Sequence, residues 1–385
     1  MDLGLNVWAA FELSTLPQQV VNGLLLGAIY ALIALGYTMV YGVLRLINFA
    51  HGEVFMLGAY TALFASWFLG YGKGSTLETS GPVNLMILLI ASMCVCGIVG
   101  VAIERFAYRP MRSQPRIAAL ITAIGVSLLI QYGGALVLPI APPPSINEKV
   151  NPYRGVVTMN LVGGDPQLLE GYEKAKIEFE TAEKEWQAAR DAKAPDEAIR
   201  TLRDKKNDAD RTMGDLQRRM DNSGVKIRIP QGQLIMFGTT IVLMIMLTYL
   251  VMFTAVGRAM RAVSHDFDSA SLMGINVGKI VTITFLIGSM LAGAGAMMNA
   301  TFLGTPLTTF FGVMPGVKAF VAAVLGGIGN IPGAVLGGFL MGFAETAVIW
   351  AGYGQYKDAI AFIVLIVVLL FRPGGLLGSA KVEKV

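Results

Sequence analysis

Long apolar stretches dominate the chain and predict membrane-spanning helices. Most of them reach the roughly 20 residues that an α-helix needs to cross a 30 Å hydrocarbon core. The seventh is shorter and runs into a Gly-rich break, which predicts a half-helix or a re-entrant segment. We therefore expect an all-α integral membrane protein with eight or nine transmembrane helices, some of them broken. The stretches lie at 17–43, 53–70, 83–104, 117–139, 233–256, 280–303, 315–328, 333–352 and 358–372.

The segment 165–224 follows a different pattern. Its apolar residues recur at steps of three and four in two runs separated by Pro195, and Glu, Lys, Arg and Asp fill the flanks. This repeat predicts an antiparallel coiled-coil hairpin with Lys206 as the one polar seam residue, inserted outside the membrane. A solitary charged helix or a disordered linker is the alternative. The predicted domains are a transmembrane half at 1–164, the hairpin, and a second transmembrane half at 225–385.

Composition supports a membrane protein. Hydrophobic residues make up 54% of the chain and charged residues 15%, whereas soluble domains carry about 25% charged residues. The chain outside the hairpin is sparsely charged and only mildly basic, so nucleic acid is not an expected partner. Cys94 and Cys96 lie two residues apart on an apolar run and are interpreted as small hydrophobic residues, because positions i and i+2 of a helix do not face each other. Residues 1–16 contain no Lys or Arg, so we expect no cleavable signal peptide.

Basic residues in the connecting segments predict the orientation. They cluster in 105–116, in 257–279 and in the tail after residue 371, and such clusters favour the cytoplasmic side. With nine crossings all three lie in the cytoplasm and the N-terminus lies outside. Because one helix separates the hairpin from 257–279, we expect the hairpin to be periplasmic.

Polar residues at a helix break form the first candidate site. Asn48, His51, Gly52 and Glu53 join the first two apolar stretches, and Glu345 lies inside the eighth. Such groups are costly in lipid and normally face a cavity or the protein interior. We predict that these five residues line a substrate path. A helix-terminating loop with a capping Asn and a structural His–Glu contact is the alternative.

The other intramembrane charges and small residues suggest structural roles. Lys318 is expected to snorkel to the interface, and Lys357 and Asp358 to be solvated. The segment 51–59 weakly resembles 330–338, which is the pattern of repeat-built transporters or a chance likeness of Gly-rich helices. Three glycine pairs with four-residue spacing predict close helix packing. The pairs are Gly23 with Gly27, Gly333 with Gly337, and Gly338 with Gly342.

The cytoplasmic loop 257–279 predicts a short amphipathic helix that ends at a glycine. Its acidic-Ser-Ala-x-x-x-Gly pattern resembles the loop by which permeases of importing ABC transporters dock on their ATPases. The candidate coupling residues are Arg258, Arg261, Asp268, Ser269, Ala270 and Gly274. The sequence has no phosphate-binding loop, zinc-protease motif or nucleophile elbow, so we expect no enzyme site and no metal site.

Several segments in the same order resemble one family. They are 27–42, 48–53, 257–276, 318–334 and 382–385. These segments are similar to branched-chain amino acid ABC transporter permeases of the LivH type. The resemblance covers about 17–140 and 225–385. It does not cover the hairpin, which the usual member of that family lacks.

The resemblance implies a permease of the bacterial inner membrane that imports branched-chain or related neutral amino acids. It implies a homologous second permease, two cytoplasmic ATP-binding subunits that hydrolyse ATP, and a periplasmic substrate-binding protein, with no cofactor in this chain. A permease for urea or short amides is one alternative. An ion-coupled secondary transporter or channel is another, and a membrane-anchored scaffold is a third.

Overall fold

The computed structural model describes residues 15–112, 114–160, 166–192, 195–223 and 226–378. The described chain is mostly helical. In chain order the helices are α1 (Leu16–Leu44), α2 (His51–Phe68), α3 (Pro82–Ile103), α4 (Arg116–Val137), α5 (Pro166–Asp191), α6 (Asp196–Ser223), α7 (Gln231–Phe253), α8 (Ala255–His265), α9 (Phe267–Leu272), α10 (Val277–Phe302), α11 (Val313–Gly326), α12 (Ile331–Trp350) and α13 (Ala359–Phe371). A π-helical segment, Glu104–Tyr108, and a helical turn, Arg109–Met111, continue α3.

Six helices of the described chain are long and apolar enough to cross a membrane. They are Leu16–Leu44, Pro82–Met111, Ile117–Val137, Gln231–Phe253, Val277–Phe302 and Ile331–Trp350. Helix α2 has 18 residues but carries His51 and Glu53. Helices α11 and α13 have 14 and 13 residues and are shorter than a full crossing. A helix occurs at each of the nine predicted apolar stretches, and the count of eight or nine crossings stays a prediction.

The chain folds as two compact units. The described residues of 19–156 and 230–378 form the first unit, which contains the apolar helices. The described residues of 15–18 and 157–229 form the second, which contains the charged segment. The predicted division after residues 164 and 224 stays a prediction.

Helix α10 lies at the centre of the first unit, packed against α2 and α3. Small residues allow this close packing, because a Cβ at Gly293 would overlap the backbone of Ser92 and the sulfur of Cys96. Ser92 Oγ also donates a hydrogen bond to the Gly58 carbonyl of α2 over 3.0 Å. The burial of Cys96 agrees with its interpretation as a small hydrophobic residue.

Glycines bring other helix backbones into contact, as their spacing predicted. A Cβ at Gly338 would overlap the Ala31 backbone, and one at Gly342 would overlap Gly27. Helices α1 and α12 therefore meet backbone to backbone. Helices α11 and α12 meet in the same way, where Gly337 abuts the Ala322 carbonyl.

Two packed helices, α5 and α6, make up most of the second unit. Ala175, Ala182 and Ala209 on the predicted seam are buried. Lys206 Nζ lies 3.1 Å from Glu183 Oε1 and 4.8 Å from the centre of the Trp186 ring. The coiled-coil assignment itself stays a prediction. Two predicted seam residues, Leu168 and Met220, have side chains outside the described set.

The two helices are flanked by two short strands that the sequence did not predict. Strand β1 (Val156–Asn160) pairs with β2 (Lys226–Pro230) in a two-stranded sheet. The expectation of a purely helical chain was therefore incomplete. Each strand has only five residues, which is too short for alternation to stand out beside long apolar helices.

Candidate functional site

The break between α1 and α2 is a short turn in which Asn48 and Ala50 are buried while Arg45 and Phe49 are exposed. Arg45 adopts a left-handed φ of 54°, which is unusual for a residue other than glycine. Asn48 is 2% exposed and its Oδ1 lies 3.1 Å from the Tyr108 hydroxyl, which lies 3.2 Å from the Ile47 carbonyl oxygen. The residue before α2 is Ala50, with no side-chain cap, so Asn48 does not cap this helix.

Three other predicted path residues follow at the start of α2. His51 is 1% exposed, and its ring lies against the α1 backbone at Gly36 and Ile33. Its ring contacts the Tyr37 ring edge-on, with 4.5 Å between centroids. Glu53 is 5% exposed and has a hydrogen bond with Ser127 of α4. The His–Glu contact of the alternative interpretation is not among the described interactions.

Gly52 marks the crossing of α2 and α11. A Cβ at Gly312 would overlap the Gly52 carbonyl oxygen, and one at Gly316 would lie 3.0 Å from the Gly52 Cα. The Tyr37 hydroxyl also lies beside this crossing, 3.4 Å from the same Gly316 position. Only glycines allow two helix backbones to approach this closely. The structure thus places Gly52 and Tyr37 together where α1, α2 and α11 meet, whereas Asn48 is bonded to Tyr108 and Glu53 to Ser127 of α4.

Glu345 lies in a different cluster. Its Oε1 is 2.9 Å from Lys318 Nζ, and its Oε2 accepts a hydrogen bond of 2.6 Å from the Tyr30 hydroxyl. Lys318 is 4% exposed. The prediction that Lys318 snorkels to the interface was wrong, because the ion pair compensates the ammonium inside the protein.

Asp358 completes this second cluster, which we call the Lys318 network. Its Oδ1 lies 2.6 Å from Lys318 Nζ, while its side chain stays 43% exposed. The expectation of a merely solvated Asp358 was therefore wrong, although the adjacent Lys357 is exposed. One ammonium thus joins α11, α12 and the start of α13.

The predicted coupling loop forms two short helices, α8 and α9. Asp266 caps α9 and accepts hydrogen bonds from the backbone N–H groups of Asp268 and Ser269, at 2.8 and 3.1 Å. The Ser269 hydroxyl donates another at 2.8 Å. The bonds from Ser269 and then from Asp268 lower the pKa of Asp266 below its usual value. The cap therefore persists unless the pH falls below the usual range of an Asp carboxyl.

Gly274 ends this segment. Its φ of 81° is left-handed, and the Ile275 N–H returns to the Ala270 carbonyl over 3.1 Å. This pattern is a glycine C-cap. The predicted glycine stop is thus confirmed as a local structure. Ala270 is 4% exposed and packs inside the chain, so its side chain is not part of the exposed surface.

The two predicted coupling arginines bind the chain's own backbone. Arg261 donates a hydrogen bond to the Val251 carbonyl at the end of α7. Arg258 donates to the Phe253 carbonyl over 3.4 Å. Cations stabilise the last carbonyls of a helix in this way. Both guanidinium groups therefore join α7 to α8.

Other candidate residues were missed by the sequence analysis. Leu272 and Met273 are 89% and 84% exposed at the tip of the coupling segment. The sequence did indicate them, because two large apolar residues precede the glycine stop.

Glu104 is a second residue that the sequence analysis missed. It is 1% exposed and binds Arg112 and the Thr282 hydroxyl. Its position carried no signal, because the π-helical turn that places it has no recognised sequence pattern.

Metal binding has no support within the described ranges, where no group of three or more His, Cys, Asp or Glu side chains is close enough to hold an ion.

Arg45 also contacts the coupling segment. Its guanidinium lies 3.4 Å and 3.5 Å from the carbonyls of Ser264 and His265 at the end of α8. The turn that carries Asn48 is thereby joined to the coupling segment.

Comparison with known proteins identifies the family. The branched-chain amino acid transport system permease component family matches residues 19–148 and 202–369. The chain belongs to this family. It leaves 149–201 unmatched, a range that contains α5. The match resumes inside α6, so its limits differ from the predicted hairpin boundaries.

Individual relatives match almost the whole chain. The high-affinity branched-chain amino acid transport system permease protein BraD of Pseudomonas aeruginosa is 37% identical over 369 residues, which is 96% of this chain and 97% of the relative. The corresponding protein LivH of Escherichia coli is 34% identical over 371 residues, with the same coverage. No solved structure matches the chain. The chain is a multi-pass membrane protein and a transport component, as expected, and not an enzyme.

Proposed function

We propose that this chain is the permease subunit of an ATP-driven importer for branched-chain amino acids in the bacterial inner membrane. The observation that carries the proposal is the similarity to two such permeases over 96% of the chain and 97% of each relative. A match of this extent includes both transmembrane parts and the coupling segment. Related neutral amino acids are further candidate substrates.

The proposed partners follow from this role. A second, homologous permease completes the transmembrane pathway, and two cytoplasmic ATP-binding subunits hydrolyse ATP. A periplasmic binding protein delivers the amino acid. The basic segments favour an orientation with the N-terminus outside and the C-terminus in the cytoplasm.

The proposed contact with the ATP-binding subunits is the coupling segment 255–276. Its support is the pair of exposed apolar side chains, Leu272 and Met273, held between the Asp266 cap and the Gly274 cap. Exposed apolar residues on a small rigid element are typical of a surface that packs against a partner. Arg258, Arg261 and Ala270 support the segment from within the chain.

Transport by the purified system tests the proposal. The chain is reconstituted in proteoliposomes with its second permease, its ATP-binding subunits and its binding protein, and uptake of radiolabelled leucine is measured. We expect uptake that needs ATP and survives a protonophore, and that unlabelled isoleucine and valine inhibit.

Two outcomes would contradict the proposal. Uptake of urea or a short amide without uptake of leucine would assign a different substrate. Leucine uptake that collapses with the ion gradient and ignores ATP would indicate a secondary transporter. Omission of the ATP-binding subunits is the matched control, because it removes the energy source and leaves the permeases intact.

A further inference from the structure

A cavity of about 260 Å³ lies beside the turn between α1 and α2. One wall is the end of α1 with the turn that follows it, and the other wall is the first two turns of α4. Neither wall contains a residue of the predicted substrate path or of the coupling segment. The lining side chains include Tyr41, Arg45, Leu46, Ile47, Ile117 and Leu120.

The lining combines one cation with apolar surface. Arg45 is exposed, and Ile117 and Leu120 are 69% and 41% exposed, so the cavity is reached from outside the protein. No lining residue of the described chain is acidic. A matching occupant therefore carries an anionic group next to an apolar part.

The segment between α3 and α4 adds positive charge next to the cavity. Tyr108 joins this segment to the turn, because its hydroxyl lies 3.2 Å from the Ile47 carbonyl oxygen. Arg105 and Arg109 on either side of it are exposed. The one acidic residue of the segment, Glu104, is paired with an arginine of the same segment. The net positive charge favours an anion at the adjacent cavity.

An exposed apolar stripe of α4 continues from the cavity. Its residues recur at helical spacing on one face of α4, and each is between 41% and 69% exposed. They are Ile117, Leu120, Ile121, Ile124 and Leu128. The stripe is about 16 Å long, which matches the depth of one leaflet, about 15 Å or half of the hydrocarbon core. Helix α4 is also the least buried of the six long apolar helices of the described chain.

These features together fit a phospholipid with an acidic headgroup. A guanidinium binds a phosphate through paired N–H donors. A free phosphate would use Arg45 alone and not the stripe, and a zwitterionic lipid would bring its own cation to a basic site. Basic pockets between transmembrane helices on the cytoplasmic side are typical sites for acidic headgroups. The proposed orientation puts this turn on that side.

We infer that the cavity between the α1–α2 turn and α4 binds an anionic phospholipid, with the phosphate on Arg45 and one acyl chain along the α4 stripe. The inference goes beyond the proposed function, because it does not depend on which substrate is transported. The lipid lies beside the coupling segment, since the Arg45 guanidinium also contacts the carbonyls of Ser264 and His265 over 3.4 and 3.5 Å.

Photolabelling by a lipid tests the inference. The permease, assembled with its partner subunits, is reconstituted in phosphatidylcholine vesicles that contain a trace of phosphatidylglycerol with a photoreactive group on one acyl chain. We expect the label at 117–128. Excess unlabelled phosphatidylglycerol should remove it, and excess inorganic phosphate should not. Photoreactive phosphatidylcholine should label the same residues at least fivefold less.

Two variants remove different parts of the site. Arg45→Gln removes the charge, and Leu120→Trp fills the apolar part while the charge stays. Each should lower labelling by phosphatidylglycerol at least fivefold, and gel filtration checks that each variant is folded. Arg372→Gln is the matched control, because Arg372 is an exposed arginine that does not line the cavity. It should label like wild type.

Other outcomes would overturn the inference. Equal labelling by the two lipids would indicate surrounding lipid without headgroup recognition, and displacement by inorganic phosphate would indicate a site for a free anion. An equal loss in Arg372→Gln would indicate general surface charge. If Arg45→Gln does not fold, Leu120→Trp decides, because substitution of an exposed residue changes stability little. Full labelling of folded Leu120→Trp would refute the site.

Discussion

The Lys318 ammonium lies 2.9 Å from the Glu345 carboxylate, and both side chains are only 5% exposed. Asp358 binds the same ammonium from a more exposed position. A buried ion pair contributes little over an apolar pair, but removal of one partner leaves an uncompensated charge. The Lys318 network is therefore expected to be sensitive to single substitutions and tolerant of paired ones.

Lys318→Met should destabilise the permease by about 3–5 kcal/mol, because Glu345 would remain buried without its cation. The double variant Lys318→Met/Glu345→Leu should regain most of this loss, since Asp358 reaches solvent. The measurement is the unfolding temperature of the purified protein in detergent. Lys357→Met is the control, because Lys357 is exposed. Equal unfolding temperatures for wild type and Lys318→Met would contradict the prediction.

Gly274→Arg should leave the permease in the membrane but uncouple it, because a bulky charged side chain would stand beside the proposed contact with the ATPase. Backbone strain is separated from bulk by Gly274→Asn, since Asn tolerates left-handed φ values. We expect Gly274→Asn to retain most transport. The measurements are membrane content, stimulated ATP hydrolysis and leucine uptake. Normal uptake by a well-expressed Gly274→Arg protein would refute the coupling role.

The double variant Leu272→Ser/Met273→Ser should weaken association with the ATP-binding subunits at least tenfold. Both side chains are more than four-fifths exposed, so substitution should change the stability of the permease itself by no more than about 0.5 kcal/mol. The association is measured by co-purification and by binding of the permease to immobilised ATP-binding subunits. Ser271→Ala on the same helix is the control. Unchanged association would show that this tip is not the docking surface.

Gly338→Val should prevent correct packing of α1 on α12, because a Cβ there would overlap the Ala31 backbone. We expect a loss of folded protein, measured by gel filtration in detergent. Gly125→Ala is the matched control, because no atom lies within 4 Å of a Cβ at that position. Equal yields of Gly338→Val and wild type would contradict the observed contact.

Removal of residues 166–223 tests a role for α5 and α6. Because β1 pairs with β2, a short Gly-Ser bridge can replace the two helices. If they form a periplasmic post for the binding protein, the variant should bind the loaded binding protein at least tenfold more weakly and remain folded. Unchanged affinity and uptake would leave the segment without a transport role. Cleavage of this segment only from the cytoplasmic side of oriented vesicles would overturn the proposed topology.

Apolar periodicity predicted where the helices lie, and glycine spacing predicted that some of them pack closely. Apolar run length predicted α11 as a short helix, and the glycine pairs predicted close helix packing, which the structure shows at contacts that include α1 with α12. Helix length and glycine spacing are set by residues that are close together in the sequence, so they can be recognised from the sequence pattern. The burial of Asn48, His51 and Glu53 followed from the cost of polar groups in lipid.

Partners distant in sequence were not predictable. Lys318 and Glu345 were each recognised as intramembrane charges, but nothing in either local pattern indicated their pairing or the participation of Asp358. Ala270 belongs to the predicted coupling motif, yet its side chain is buried inside the chain. Both results depend on which helices pack together, and this arrangement is not encoded in a local repeat.

The π-helical segment Glu104–Tyr108 gives α3 one surplus residue, visible in the Arg109 N–H that bonds to the Glu104 carbonyl five residues earlier. A surplus of this kind can migrate along a helix, and one residue corresponds to a rotation of about 100°. A change of register by one residue at this segment would therefore turn the Pro82 end of α3 relative to the Met111 end. Glu104 and Tyr108 lie at the two ends of the π-helical segment. A shift of one residue would therefore break both the Glu104–Thr282 and the Tyr108–Asn48 hydrogen bonds.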